Sequence, residues 1–446
     1  MAPYTDYRLE QIMRQLFRKA DILSTDNGHF RYIRSGYLGI DGDTIDYIGE
    51  CAPEAEKEYD EVHEYSGKML IPGFVNAHAH SAMSILRGLG SDKSLHDWLF
   101  DYVFPTEDKL RRQDIRTASE LAVIEMIACG TTSFTDMYYM EEETADVCVA
   151  AGLKANLSRS VQGLEPIRTP FDSYRIKDAV EFYDGWNNAG NGLIRVDFSI
   201  HAEYTTDESV ARAVSEICAE RKAGMNIHLS ETEDEHARCI AKFGKTPAEW
   251  FRDVGAFSSR TNAAHCVWVG DSDMDLLREY GVTATHNPES NMKLGSGFAR
   301  IEALRAAGVN VALGTDGAAS NNNLNMLEEL HTASIIHNGY MHDPTVMNPE
   351  FTVRMATRNG AVSQGRYDTG MLAPGYKADI TAIDLDRPHL FPNTEPLATL
   401  CYSAQGSDVC MTMVNGRILY ENGDYKTLDR DRIMYDARKC ADYLDI

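Results

Sequence analysis

Apolar residues along this chain follow two different periods. From about Gln15 to Glu64 they alternate with polar residues in short runs, such as Ile22–Ser24, Gly36–Ile40 and Thr44–Ile48, and Asp41-Gly42-Asp43 makes a tight turn between the last two. The same texture returns in Ala378–Ile383 and Cys410–Val414, where Val414-Asn415-Gly416-Arg417 reads as a hairpin turn. Two β-rich ends around a long middle predict one small β-sandwich domain built from both termini. The middle alternates strand and helix. Apolar runs predict strands at Met69–Val75, Thr131–Thr135, Ala155–Ser158, Ile194–Ile200, Met225–His228, Asn262–His265, Val282–Thr285 and Val309–Leu313. Helical patterns lie between them, including Asp114–Cys129, Ser173–Ala189, Asp207–Ala223, Ser272–Tyr280 and Ile301–Ala307, and Asn323–Asn338 follows the last strand. Eight consecutive strand–helix units predict an α/β fold, a closed (β/α)8 TIM-type barrel with its active site at the C-terminal strand ends. An open doubly wound sheet would show a Gly-rich phosphate turn after its first strand, and none is present. The expected division is 1–68 and 373–446 for the two parts of the β domain, and 69–372 for the barrel.

Charge narrows the partners. The 446 residues include 43 basic and 68 acidic side chains, a formal net charge of −25. Such a chain repels polyanions, so neither nucleic acid nor an anionic membrane is an expected partner. No run approaches the roughly 18 apolar residues of a membrane span. Met1–Tyr7 lacks the basic and apolar regions of a signal peptide, and nine scattered cysteines without a CxxC pair suggest reduced thiols. A cytoplasmic location is the expectation, and a homo-oligomer is compatible with the sequence.

Candidate chemistry gathers where the predicted strands end. The first ends in Asn76-Ala77-His78-Ala79-His80, and alternation along a strand points both histidines into the barrel mouth. Two neutral imidazoles on one face can bind a single metal, although a lone His-x-His also occurs as plain polar residues at a strand end. The fifth strand ends in His228-Leu229-Ser230-Glu231, the sixth in Ala264-His265-Cys266 and the eighth in Thr315-Asp316-Gly317. Each polar residue directly follows an apolar run, so all of them reach the same rim. Four histidines and two carboxylates converging there would be an improbable accident if they only satisfied one another.

Through PGFVNAHAH (72–80), HLSE (228–231), AAHC (263–266) and GTDG (314–317) the chain resembles the amidohydrolase superfamily. It is most similar to the branch that deaminates 5′-methylthioadenosine and S-adenosylhomocysteine, through DWLFDYVFPTED (97–108), THNPESNMKLG (285–295) and GTDGAASNNNLNM (314–326). Carried over by position, the resemblance implies His78, His80, His228 and Asp316 as ligands of one divalent metal. Binuclear relatives bridge two metals with a carboxylated lysine; here the fourth strand ends in Ser199-Ile200-His201 and no strand brings a lysine to the rim, so a single-metal site fits better. Zinc suits three imidazoles and a carboxylate, and ferrous iron would accept the same set.

The implied chemistry is hydrolytic deamination. A bound divalent cation lowers the pKa of its water towards ~7. Asp316 can take the water's proton, His265 can hold the attacking oxygen, and Glu231 is placed to protonate a ring nitrogen of the substrate. The resemblance further implies that Trp98 stacks on the ligand and Glu107 accepts from ribose hydroxyls. The plain alternatives are a core tryptophan and a helix cap near Asp108. It also implies that Arg159 and Arg175 hold the carboxylate of S-adenosylhomocysteine with help from His201, against the ordinary reading of each arginine as surface charge. The Arg175 register depends on the loop 162–170. Glu141-Glu142-Glu143 reads as the acidic first turn of a helix, Asn321-Asn322-Asn323 as a cap and turn, and His331, His337 and His342 as surface residues. The expected activity is conversion of a 6-aminopurine nucleoside to its 6-oxo form and ammonia. Rivals are an aminohydrolase of guanine, a pterin or an s-triazine, a cyclic-amide hydrolase, and a silent binding protein on the same scaffold. The metal and acid–base set argues against the last.

Overall fold

The computed structural model describes residues 13–93 and 95–446, so the Met1–Tyr7 segment read for a signal peptide lies outside the described residues. Eight parallel strands form the barrel wall: β1 (Phe74–Ala79), β2 (Thr131–Tyr138), β3 (Lys154–Val161), β4 (Phe198–Ile200), β5 (Gly224–Leu229), β6 (Arg260–His265), β7 (Thr283–His286) and β8 (Asn310–Leu313). They pair in sequence order, with a short strand Ile194–Val196 added beside β3. The wall is drawn together between its first and last strands by the Asp316 amide, which donates to the His78 carbonyl at 2.9 Å next to a parallel Ala79–Asp316 bridge. Every residue of β1, β2 and β5 is buried, as expected for strands covered by helices outside and side chains inside.

The terminal strands form a separate nine-stranded sheet. Arg14–Asp26, His29–Asp41, Thr44–Gly49, Glu61–Glu64 and Lys68–Pro72 come from the N-terminal end, and Ile380–Asp384, Val409–Val414, Arg417–Glu421 and Asp424–Tyr425 from the C-terminal end. Lys68–Pro72 pairs antiparallel with Ile380–Asp384 and joins the two halves. Phe17, Ile40, Ile380 and Met411 from both ends share one core.

The apolar run 69–75 is therefore not one strand. It breaks at Gly73, with Lys68–Pro72 in the terminal sheet and Phe74 opening β1. A Cβ at Gly73 would lie 2.2 Å from the Thr132 side chain, so only glycine lets the chain pass from one sheet to the other. Below the barrel Lys154, at the start of β3, makes a buried ion pair with Asp379, whose Oδ1 accepts from the Asn415 amide at 2.9 Å. The last two helices pack outside the sheet: Pro396–Tyr402 on the helix Met326–Met341, and Arg430–Leu444 on Arg112–Ala128.

Two readings of local detail are corrected. His337 is not a surface residue: the helix Met326–Met341 turns it inward, it is 1 % exposed, and its Nε2 lies 2.9 Å from Nε2 of His286. Its neighbour His331 is half-buried against the Cys401 carbonyl, whereas His342 is exposed. The cap of that helix is Asn325, which accepts from the Leu327 amide at 3.1 Å, while Asn321 caps the preceding turn through the Asn323 amide. Glu141, Glu142 and Glu143 do form the first turn of the helix Glu141–Ala151. All nine cysteines are free thiols, and no described helix is long and apolar enough to cross a membrane.

Candidate active site

Strand alternation delivers the histidines as expected. His78 and His80, at the end of β1, stand with ring centroids 4.8 Å apart, and His78 lies 5.0 Å from the ring of His228 on β5. Asp316 follows β8 with a left-handed φ of 60°, a conformation costly for a non-glycine residue and met at sites the surroundings over-determine. That turn directs its Oδ1 to within 3.5 Å of His78 Nε2 and 3.3 Å of His80 Nε2. Ser290 and Ser320 each donate to Oδ2 at 2.7 Å, which fixes the carboxylate.

This donor set fits a divalent metal. His80 Nδ1 faces the Met137 carbonyl at 2.6 Å and His228 Nδ1 the His201 carbonyl at 2.8 Å, so each Nδ1 carries the proton and each Nε2 offers a lone pair. The two Nε2 atoms then face one another at 3.3 Å, two acceptors with nothing to share, and the buried Nε2 of His78 has no hydrogen-bond partner. Converging lone pairs beside a carboxylate are a cation's requirement. Burial holds His78 down to about 4, neutral as a ligand must be. Burial alone would raise Asp316, but the imidazoles of His78, His80 and His265 around it hold it well below the usual range.

The acid–base residues share this chamber. Thr232 and Glu235 close a reciprocal capping box on the helix Glu233–Phe243, which leaves Glu231 on the turn between β5 and that helix. Glu231 is buried, its Oε1 accepts from Ser296 Oγ at 3.3 Å, and its Oε2 lies 3.7 Å from His265 Nε2. Burial outweighs the attraction of His265 and moves the carboxyl upward, towards its protonated form. His265 also sits at positive φ, 71°, with Nδ1 held 2.9 Å from Asn291 Oδ1. Although burial opposes its charge, Glu231 and Asp316 raise it on balance. Ser290, Asn291 and Ser320 orient these groups. All three lie within THNPESNMKLG and GTDGAASNNN, quoted above for resemblance without a role.

The remaining residues line a cavity running outward from the cluster. The lid Leu95–Glu107 covers it, and Trp98 is at once core and lining, with Nε1 donating to the Leu89 carbonyl at 2.9 Å. Glu107 ends the short helix Phe104–Glu107 and does not cap the next one, which Asp114 and Arg111 start. It is joined to Tyr138 Oη by a short hydrogen bond, and burial raises it to about 7. His201, at the end of β4, holds Thr205 Oγ1 at 3.1 Å and is kept neutral, at about 3, by burial. Further out, Arg159 and Arg175 line an adjoining chamber with Tyr139, Tyr174 and Asp178. Arg159 donates to Glu142 and, at 3.4 Å, to Asp178, so its charge is already met by two carboxylates. Arg175 instead lies 5.4 Å from the rings of Tyr139 and Tyr174 and makes no ion pair among the described residues. Ten of the eleven residues singled out from sequence thus line two adjoining chambers, and the eleventh, His78, stands against His80, His228 and Asp316 at the inner end.

Comparison with known proteins follows the same line. The amidohydrolase family profile matches residues 69–419. The chain is 41 % identical over 435 residues to a 5-methylthioadenosine/S-adenosylhomocysteine deaminase of Acetivibrio thermocellus, covering 96 % of this chain and 99 % of that one. It is 39 % identical over 412 residues to a 5′-deoxyadenosine deaminase of Methanosarcina mazei, covering 92 % and 94 %. Among solved structures, a zinc-bound adenosine deaminase of Xanthomonas campestris superposes with a TM-score of 0.90 at 28 % identity, over 97 % of this chain and 98 % of that one.

Proposed function

The chain belongs to the amidohydrolase family, and on that premise we propose that it is a hydrolytic deaminase of 6-aminopurine nucleosides bearing a modified 5′ position. The observation that carries this reading is a buried carboxyl, Glu231, kept towards its protonated form beside His265 in the chamber where three histidines and Asp316 converge. His78, His80, His228 and Asp316 would hold one divalent ion per chain, and zinc suits the set. Such an ion supplies a water acidic enough to lose its proton near neutrality. Asp316, whose carboxylate Ser290 and Ser320 hold in place, would accept a proton from the attacking water. Glu231 gives its own proton to a ring nitrogen, which makes the adjacent amino-bearing carbon electrophilic. His265, oriented by Asn291, donates from Nε2 to the incoming oxygen. Asp316 passes the proton on to the amino group, which leaves as ammonia, and the remaining proton on the added oxygen returns to Glu231, so water and amine become oxo product and ammonia.

Substrate choice rests on the outer residues. Trp98 stacks on the ligand, Glu107 accepts from ribose hydroxyls, and His201 lines the way to the tail. Arg175, with Arg159 behind it, takes the carboxylate of an amino-acid tail. Names of relatives acting on 5-methylthioadenosine, S-adenosylhomocysteine and 5′-deoxyadenosine support this class. A net charge of −25 supports a small-molecule partner over nucleic acid, and nine free thiols support a cytoplasmic location. The test is ammonia release from adenosine, 5′-methylthioadenosine, S-adenosylhomocysteine, 5′-deoxyadenosine, guanine and an s-triazine. Release from the 5′-modified nucleosides is expected; release only from guanine or the triazine would overturn the reading.

A further inference from the structure

Glu107 reaches the cavity from the lid, but a barrel strand holds it. It ends the short helix Phe104–Glu107, which follows the π-helical turn Trp98–Val103 and lies outside the strand framework. Tyr138 is the last residue of β2 and is 4 % exposed. The strand ladder sets Tyr138 beside Arg159 of β3, and its amide donates to Oε1 of the buried Glu141 at 3.1 Å, so the ring stands on a fixed base. Tyr138 Oη donates to Glu107 Oε1, and among the described residues no other side chain donates to that carboxyl. The Tyr138 ring also lies 6.4 Å from the ring of His80, whose Nδ1 is held by the carbonyl of the preceding residue, Met137. One tyrosine therefore spans the gap between the metal cluster and the lid carboxyl. Tyr138 and Glu107 each line both the inner and the outer chamber, so their bond stands where the two meet.

We propose that Tyr138 is a positioning residue for ribose recognition: its phenol engages one oxygen of Glu107, latches the lid to the barrel wall, and leaves the other oxygen at a fixed reach from the metal cluster to accept from the sugar. This rests on Glu107 being the ribose acceptor of a nucleoside deaminase.

Charge favours the same arrangement. Burial raises Glu107, the Tyr138 hydrogen bond pulls it down and Asp108, next in the chain, adds to the rise, for a value of about 7. Tyr138 is raised well above its usual value, by burial first and then by Glu107, so it remains a donor. Tyr139, lifted to about 12 by burial, and Tyr174 share the outer chamber with Arg159, Arg175 and Asp178. Arg159 is met by Glu142 and Asp178, and Arg175 lies against two tyrosine rings. Toward the inner end stand Tyr204, His201, Glu231, His265 and the metal cluster of His80, His228 and Asp316. The phenol is thus the donor that favours an ionised Glu107. Removing it leaves a half-buried carboxylate oxygen unmet, which costs more than the bond itself contributes.

Tyr138→Phe keeps the ring and removes the donor. The expected KM rises roughly 2–10-fold for 5′-methylthioadenosine and S-adenosylhomocysteine alike, the range of one hydrogen bond, with the loss in KM rather than kcat. The fall in KM through about pH 7 should move to higher pH. In a Glu107→Ala background, where the phenol has no carboxyl to hold, Tyr138→Phe should add little further loss. Thermal melting reads the contact without substrate. A carboxyl raised on folding contributes stability that is full below its unfolded value and lost as pH rises through its folded value. Without the phenol that loss extends further, so the melting midpoint of Tyr138→Phe should fall progressively behind wild type between about pH 7 and about pH 9. A midpoint difference that does not change with pH would overturn the hold of Tyr138 on Glu107. A loss confined to kcat, or an equal further loss in the Glu107→Ala background, would overturn the positioning role. If no nucleoside is deaminated at all, the melting series still decides whether Tyr138 holds Glu107, so that failure is distinguishable.

Discussion

Replacing Arg175 with methionine removes a charge while keeping an apolar stem of similar length against Tyr139 and Tyr174. The guanidinium lies 5.4 Å from both rings and has no carboxylate partner among the described residues, so it is the available cation of the outer chamber. A charge-assisted hydrogen bond to a substrate carboxylate is worth about 1.5–3 kcal/mol, and the uncharged tail of 5′-methylthioadenosine never makes it. The expected loss in kcat/KM is roughly 10–100-fold for S-adenosylhomocysteine and little for 5′-methylthioadenosine. The stacking lost with the charge, about 0.5–1 kcal/mol at this half-buried site, bears on the position of the helix Tyr174–Trp186 and falls on both substrates alike. Arg159→Met should differ. It too penalises the carboxylated substrate, but it also strips Glu142 and Asp178 of their shared partner, so the melting temperature should fall as well. The assay is initial ammonia release with both nucleosides over a range of concentrations, alongside melting curves. Equal losses on the two substrates in Arg175→Met would refute the carboxylate assignment and leave Arg175 as part of the wall.

Three further outcomes follow from the same geometry. Glu231→Gln should keep bound metal and lose about 10²–10⁴-fold in kcat, since the amide preserves shape but cannot give up a proton; normal metal content with wild-type turnover would remove Glu231 from its role. Glu107, raised to about 7 by burial, accepts from ribose best when ionised, so KM should fall as pH rises through about 7 and Glu107→Gln should abolish that step. A KM profile that Gln leaves unchanged would contradict a ribose contact. Lys154→Met should leave Asp379 buried without its partner and destabilise by about 3–5 kcal/mol, read by denaturant unfolding, whereas Lys154→Met with Asp379→Leu should recover much of the loss. A single variant as stable as wild type would show that the pair does not tie the barrel to the terminal sheet.

The inner site was legible because its signal is local. His78, His80, His228, His265 and Asp316 each follow an apolar run, and in a parallel barrel the end of a strand is also a place in space. Less local features were not legible. The run 69–75 is uniformly apolar, and only the crowding of Gly73 against Thr132 reveals that it serves two sheets. His337 faces inward because β7 lies under that helix, a contact across 51 residues that its own helical pattern does not announce. The carboxylates on Arg159 come from the helices after β2 and after β3, so an arginine that resemblance marks for substrate was not seen as already engaged.

The most direct test of the account is a metal titration of chelated protein, with ammonia release from 5′-methylthioadenosine measured at each step. Chelation should abolish turnover, and added zinc should restore it in proportion until one equivalent per chain is bound, with the 6-oxo nucleoside formed mole for mole with ammonia. Full activity in metal-free protein, no ammonia at any loading, or a rise that saturates only at two equivalents would contradict a single-metal deaminase built on His78, His80, His228 and Asp316.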